Sequence, residues 1–189
     1  MADSSFRRLE NLKDDATRLK NMLDEVSNLA QVTTDVSPER VDVPELVEEV
    51  KGELGMDLDD AEITVDSDFP EVKFDKFQLK VLLKNLIANG LKYNQEPKRV
   101  EVGYNLEPGS SKLVVLVKDD GKGIAQEHHD RVFRMFEQLE PEEAPTGTGA
   151  GLALCKRIVE GNNEKIWLDS DPGVGTAVGF TVPLFEREE

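Results

Sequence analysis

Three clusters in this 189-residue chain combine residue types and spacings that could do chemistry. Asn85, Asn89 and Lys92 fall within about 60° of one another on a helix that turns about 100° per residue. Amide oxygens are hard, neutral ligands that suit a Mg²⁺ ion already held by phosphates, and the ammonium answers phosphate charge. A polar border between core and solvent would use the same residues. The second cluster is Val117-Lys-Asp119-Asp-Gly121-Lys122-Gly123-Ile124 at the end of an apolar run. Glycines at alternate positions allow close backbone approach, and a carboxylate at a strand end can accept a hydrogen bond from an exocyclic amine such as adenine's. A strand-ending aspartate before a glycine turn is also common in folds of every kind. The third is Thr146-Gly147-Thr148-Gly149-Ala150-Gly151-Leu152, leading into a helix. Its free backbone N–H groups and the positive helix end behind them make an anion cradle, without the Gly-Lys-Ser/Thr ending of a P-loop. Pro172-Gly-Val-Gly-Thr176 reads first as a tight turn between strands.

These clusters need elements to hold them. A helix over 76–93 presents Leu79, Leu82, Leu83, Leu86 and Ile87 on one face, with Asp75 as its cap. A short helix begins with Pro44 in its first turn and runs to about Leu54, after a polar connector over 35–44. Residues 63–65 and 72–74 are short strand candidates. Residues 99–106 and 112–118 form a hairpin around Pro108-Gly109, and 165–170 and 176–182 form the last two strands. Further helices are expected over 126–135 and 149–160. The interleaving gives an α+β chain built as a two-layer α/β sandwich. Ahead of it, Leu9, Leu12, Ala16, Leu19, Leu23, Val26 and Ala30 alternate three and four apart, a heptad seam on a long N-terminal helix. That stripe predicts a homodimer or a docked helix, or packing on its own domain. The division is 1–36 for this helix and 37–189 for the sandwich.

Composition narrows the partners. With 39 acidic and 23 basic residues the net charge is −16, which repels nucleic acid and anionic membranes. The same field disfavours a nucleotide unless the site gathers local cations. No stretch approaches the ~18 apolar residues of a membrane span, and Met1 to Arg7 lacks a signal-peptide core, so a cytoplasmic location is expected. The single cysteine, Cys155, lies in an apolar helical stretch and reads as a core thiol.

Taken in order, the asparagine helix, strand–Asp-x-Gly-x-Gly, Phe133-x-x-Phe136, glycine-rich helix start and Gly-x-Gly-Thr176 resemble one family. It is the ATP-binding domain shared by sensor histidine kinases, gyrase-type topoisomerases, a heat-shock chaperone and mismatch-repair ATPases. Residues 85–94 and 147–160 look like the histidine kinase branch, including its phytochrome-like members, and the resemblance spans about residues 42–184. The seam helix resembles the second helix of that branch's dimerisation hairpin. The resemblance implies helices on one face of a mixed sheet, with ATP and Mg²⁺ between them. Asn89, with Asn85 beside it, would hold the metal; Asn89 and Lys92 would serve the transfer, and Lys92 and Tyr93 would close over the nucleotide. Asp119 would bind the adenine amino group, with Gly121, Gly123 and Ile124 around it and Thr176 in support. Gly147, Gly149 and Gly151 would cradle phosphates, Thr148, Ala150 and Leu152 would bind the nucleotide with them, and Phe133 and Phe136 would anchor the lid that follows.

The departures carry as much. The branch's phosphoacceptor histidine precedes the seam helix, whereas the only histidines here are His128 and His129, read as solvent-facing on a helix start. Gln138 stands where many relatives place an arginine, and Asn163-Glu164 stands where they have paired glycines. The expected function is an ATP/Mg²⁺-binding kinase module that phosphorylates a histidine supplied by another dimerisation helix, for a response regulator receiver domain. The alternatives are a degenerate scaffold that pairs through its N-terminal helix, and a serine-directed kinase.

Overall fold

The computed structural model describes residues 36–55, 61–94, 97–106, 109–137, 139 and 149–186, with the single positions 16 and 27. The seam helix expected over 9–30 lies, positions 16 and 27 apart, outside the described residues. The chain begins with strand β1 (Glu39–Val41), helix α1 (Val43–Leu54), strands β2 (Ala61–Val65) and β3 (Val72–Phe74), and helix α2 (Lys76–Lys92). Strands β4 (Lys98–Leu106) and β5 (Lys112–Asp119), helix α3 (Gly151–Gly161), and strands β6 (Ile166–Asp171) and β7 (Gly175–Pro183) complete it.

The five-stranded sheet runs β2-β4-β5-β7-β6, with β2 parallel to β4 and every other pairing antiparallel. It is the mixed sheet that the resemblance implied. Alternation decides its faces: Leu113, Val115 and Val117 of β5 are buried, while Val114 and Leu116 between them are only partly covered. The buried set meets α2 and α3. Leu79, Leu82, Leu83, Leu86 and Ile87 of α2 join Leu154, Cys155 and Ile158 of α3, and Phe180 and Val182 of β7, in one core. Cys155 is fully buried, and burial pushes its thiol well above the usual range, which makes it a packing residue.

Local chemistry sets the helix ends. The Asp42 carboxylate accepts from the Glu45 N–H at 2.9 Å, with Pro44 in the first turn of α1, and Asp75 caps α2 through the Gln78 N–H at 2.9 Å. A ladder of ion pairs joins the two helices: Glu49 to Lys76 (2.9 Å) and Lys80 (2.8 Å), then Glu53 to Lys80 (2.7 Å) and Lys84 (2.9 Å). At the other end of the sheet Glu164 is buried, accepting from Lys112 Nζ at 2.7 Å and from the Thr181 hydroxyl. Asn163 before it takes φ +59°, so the turn survives without glycine.

Three expectations about the elements need correction. Residues 39–41 are a strand within the stretch read as a polar connector: β1 pairs antiparallel with β3, burying Val41, while Arg40 pairs with Glu71. The helix expected over 126–135 is a single 3₁₀ turn, Gln126–His128, followed by successive turns to Phe136. Successive backbone turn bonds, not an α-helical ladder, organise it, and side chains add to them. The His129 ring N–H meets the Ile124 carbonyl at 3.0 Å, and Arg131 Nε donates to Glu137 at 2.6 Å. Helix α3 starts at Gly151, two residues later than its glycine-rich approach suggested. Among the described residues no helix is long and apolar enough to cross a membrane.

Candidate functional site

A cavity of about 630 Å³ opens between α2, the C-terminal end of β5 and the start of α3. The amphipathic spacing of α2 positions its first wall: the leucine face is buried, and Asn85, Asn89 and Lys92 turn into the cavity beside it. Asn85 Nδ2 donates to the Val81 carbonyl at 2.8 Å. Its Oδ1 therefore points across to α3, so close to Gly151 that a Cβ there would lie 2.7 Å from it. At the end of α2, Tyr93 lines the cavity with Lys92 Nζ 5.0 Å and Lys122 Nζ 5.5 Å from its ring centroid.

Asp119 ends β5 opposite Thr176 of β7, and both face the cavity. Burial raises the pKa of the Asp119 carboxyl above its ordinary value; the backbone N–H groups of Gly121 and Thr176 oppose the shift, and neighbouring Asp120 adds to it. Gly121 itself lies beneath, donating to Asp119 Oδ1 at 2.9 Å against the Tyr93 carbonyl. Gly123, at φ +69°, brings its turn onto the one after β6: a Cβ there would fall 1.9 Å from the Asp171 oxygen. Buried Ser170 ties the two turns, accepting from the Ile124 N–H at 2.8 Å and sharing a 3.0 Å bond with the Thr176 hydroxyl.

The third wall is the approach to α3. Gly149 (φ +75°) packs on the backbone of Phe136 and Glu137, where a Cβ would meet the Glu137 oxygen at 2.9 Å, and its carbonyl accepts the Phe136 N–H at 2.9 Å. Gly149, Gly151 and Leu152 line the cavity at the positive end of an 11-residue helix.

Of the residues expected at a nucleotide, the structure gathers Asn85, Asn89, Lys92, Tyr93, Asp119, Gly123, Ile124, Gly149, Gly151, Leu152 and Thr176 around this one cavity. It does not bring Gly121, Ala150 or Phe136 to the wall: Gly121 packs under Asp119 against the Tyr93 backbone, Ala150 is buried at the N-cap of α3, and Phe136 is 63% exposed at φ +62°. Phe133 packs outside, with Lys156 Nζ 5.8 Å from its ring. Gly147 and Thr148 lie outside the described residues. His128, Glu137, Leu168 and Ser170 escaped the sequence reading. Leu168 could have been found by alternation within β6; His128 and Glu137 sit in irregular turns with no periodic signal. His128 thus corrects an expectation, since it lines the cavity instead of standing free on a helix.

The fit for a metal is conditional on a ligand. Among the described residues no group of three His, Cys, Asp or Glu could hold an ion. Two neutral asparagines suit a cation that arrives with phosphates and keeps several other ligands.

Comparison with known proteins agrees with this geometry. The family model for histidine kinase-, DNA gyrase B-, and HSP90-like ATPases matches residues 74–186, more than half the chain. The phytochrome-like protein Cph1 of Synechocystis sp. is 35% identical over 171 residues, 88% of this chain and 22% of Cph1. Full-length ShkA, solved in complex with AMPPNP, shares the fold at a TM-score of 0.76 and 21% identity, over 97% of this chain and 39% of that one. Histidine kinase ThkA, solved in complex with the response regulator TrrA, does so at 0.67 and 20%, over 88% and 48%. The chain spans between about a fifth and a half of the length of the curated relatives it matches. The chain belongs to the histidine kinase-, DNA gyrase B- and HSP90-like ATPase family, in its sensor histidine kinase branch.

Proposed function

We propose that this chain binds ATP with Mg²⁺ in the 630 Å³ cavity and transfers the γ-phosphoryl group to a histidine supplied by another segment or chain. The observation that carries the reading is convergence: an amine-accepting carboxylate, Asp119, shares one cavity with a helix N-terminus, two amides and two lysines. Asp119 takes the adenine amino group, with Thr176 beside it. The N–H groups of the Gly149–Gly151 approach and the α3 dipole face the phosphates. Asn89 and Asn85 would hold the Mg²⁺ ion, which would supply charge neutralisation at the phosphates. Lys92 supplies a cation at the same end of α2, while Tyr93 covers the nucleotide. Phosphoryl transfer asks a protein mainly to position groups and offset charge, which these residues do; the nucleophile is the task they leave to a partner.

Residues 1–36 serve in this reading as the second helix of a dimerisation hairpin, and a response regulator aspartate is the next acceptor. ThkA's complex with a response regulator supports that partner class, and the AMPPNP complex of ShkA supports the nucleotide. Incubated alone with labelled ATP, the chain should form no stable phosphoprotein. With a histidine-bearing dimerisation hairpin it should yield acid-labile phosphohistidine on the hairpin. Strong labelling of His128 or His129 would contradict the assignment.

A further inference from the structure

Glu137 on the cavity wall and Arg131 behind it form a charged pair that none of these roles uses. Glu137 lines the cavity, and its backbone abuts Gly149 on the approach to α3. A carboxylate there repels a polyphosphate, and in a chain of net charge −16 nothing in the global field offsets it. The local offset is Arg131. Its Nε donates to Glu137 Oε1 at 2.6 Å and its Nη1 lies 3.2 Å from Nδ1 of His128, the neighbouring wall residue. Arg134 Nη1 stands farther off, 4.0 Å from the other Glu137 oxygen. The Arg131 guanidinium is thus one side chain removed from the cavity, touching two of the groups that line it. It is also a planar fork that suits phosphate as well as carboxylate, so a phosphate chain can compete for it.

We infer that Arg131 is a reserve cation for the phosphate chain, held by Glu137, and that the pair sets how strongly the site discriminates among nucleotides by phosphate charge. This rests on the reading of the cavity as a nucleoside triphosphate site. When a triphosphate binds, the guanidinium exchanges its carboxylate partner for phosphate oxygens, directly or shared with Glu137. Nucleosides that lack phosphates gain nothing from the exchange. Arg131 is a phosphate-binding residue in this scheme, acting on the ground-state complex, and Glu137 tempers its pull.

The test is calorimetric titration of ATP, ADP and adenosine, at constant Mg²⁺, into the wild-type chain, Arg131→Gln, Glu137→Gln and Arg131→Lys. Arg131→Gln should weaken ATP about tenfold, the order of one charge-assisted hydrogen bond, and leave adenosine unchanged. Glu137→Gln should act with the opposite sign, tightening ATP by releasing the guanidinium. Arg131→Lys should recover part of the loss. A purely structural role for the pair predicts that both substitutions weaken ATP and adenosine by the same factor, and that result would overturn the inference. If Arg131→Gln melts early, Glu137→Gln still decides by the sign of its effect, because it keeps the arginine. Failure of wild type to bind either ATP or adenosine would instead remove the nucleotide reading on which the inference stands.

Discussion

Asp119 illustrates how a site residue carries two opposing pH dependences. Burial holds its carboxyl above the ordinary value, so the folded chain binds this proton more tightly than the unfolded chain does. Relative to Asp119→Asn, the free wild-type protein should therefore gain stability as pH falls through the raised pKa. Nucleotide affinity should move the other way, because an adenine amine needs the ionised acceptor. ADP binding should weaken at a pH above that at which an exposed aspartate titrates, and the asparagine variant should lack this dependence. Paired denaturation and calorimetric pH series check both signs; affinity that stays flat while stability changes would separate Asp119 from the ligand. At this scale the sequence was most legible where a regular element carries the residue. Asn85, Asn89 and Lys92 follow from helical spacing, and Asp119 follows from its place at a strand end. Glu137 and His128 sit in consecutive turns held by backbone bonds and tied by side chains, and no period announces them.

At the scale of elements, α1 and α2 are joined by apolar packing below and the Glu49–Lys76–Lys80–Glu53–Lys84 ladder above. Hydrogen bonds from Lys76 and Lys80 lower the Glu49 pKa from 4.5 to about 2. A depressed carboxylate stabilises the fold above its unfolded value and loses that contribution as pH falls through its folded one. Glu49→Gln should therefore be less stable than wild type near neutrality. The gap should close between pH 4.5 and about 2, as urea unfolding at successive pH values would show. A gap that is constant across that window would mean the ladder is decorative. The helices themselves were readable from caps and leucine spacing. Strand β1 was not, because in three residues only Val41 faces inward and its charged neighbours, Glu39 and Arg40, are exposed. The helix expected over 126–135 failed for a related reason: its apolar residues serve separate turns, not one face.

For the molecule as a whole, two layers and a mixed sheet followed from the interleaving of helices and hairpins together with the family resemblance. The parallel pairing of β2 beside β4 did not, since strand β3 and helix α2 lie between two strands that only tertiary packing brings together. The whole-molecule field is also the main obstacle to the proposed ligand. An acidic chain that binds an anion must concentrate cations at one place, and Lys92 and Lys122 flank Tyr93 at the cavity. Titration of MgADP into the wild type and into Asp119→Ala tests the central claim most directly. The account predicts a saturating heat for the wild type and at least about tenfold weaker binding for the variant, with its melting temperature preserved. A well-folded wild type that gives no binding heat at millimolar nucleotide, or an Asp119→Ala variant that binds as tightly as wild type, would contradict it.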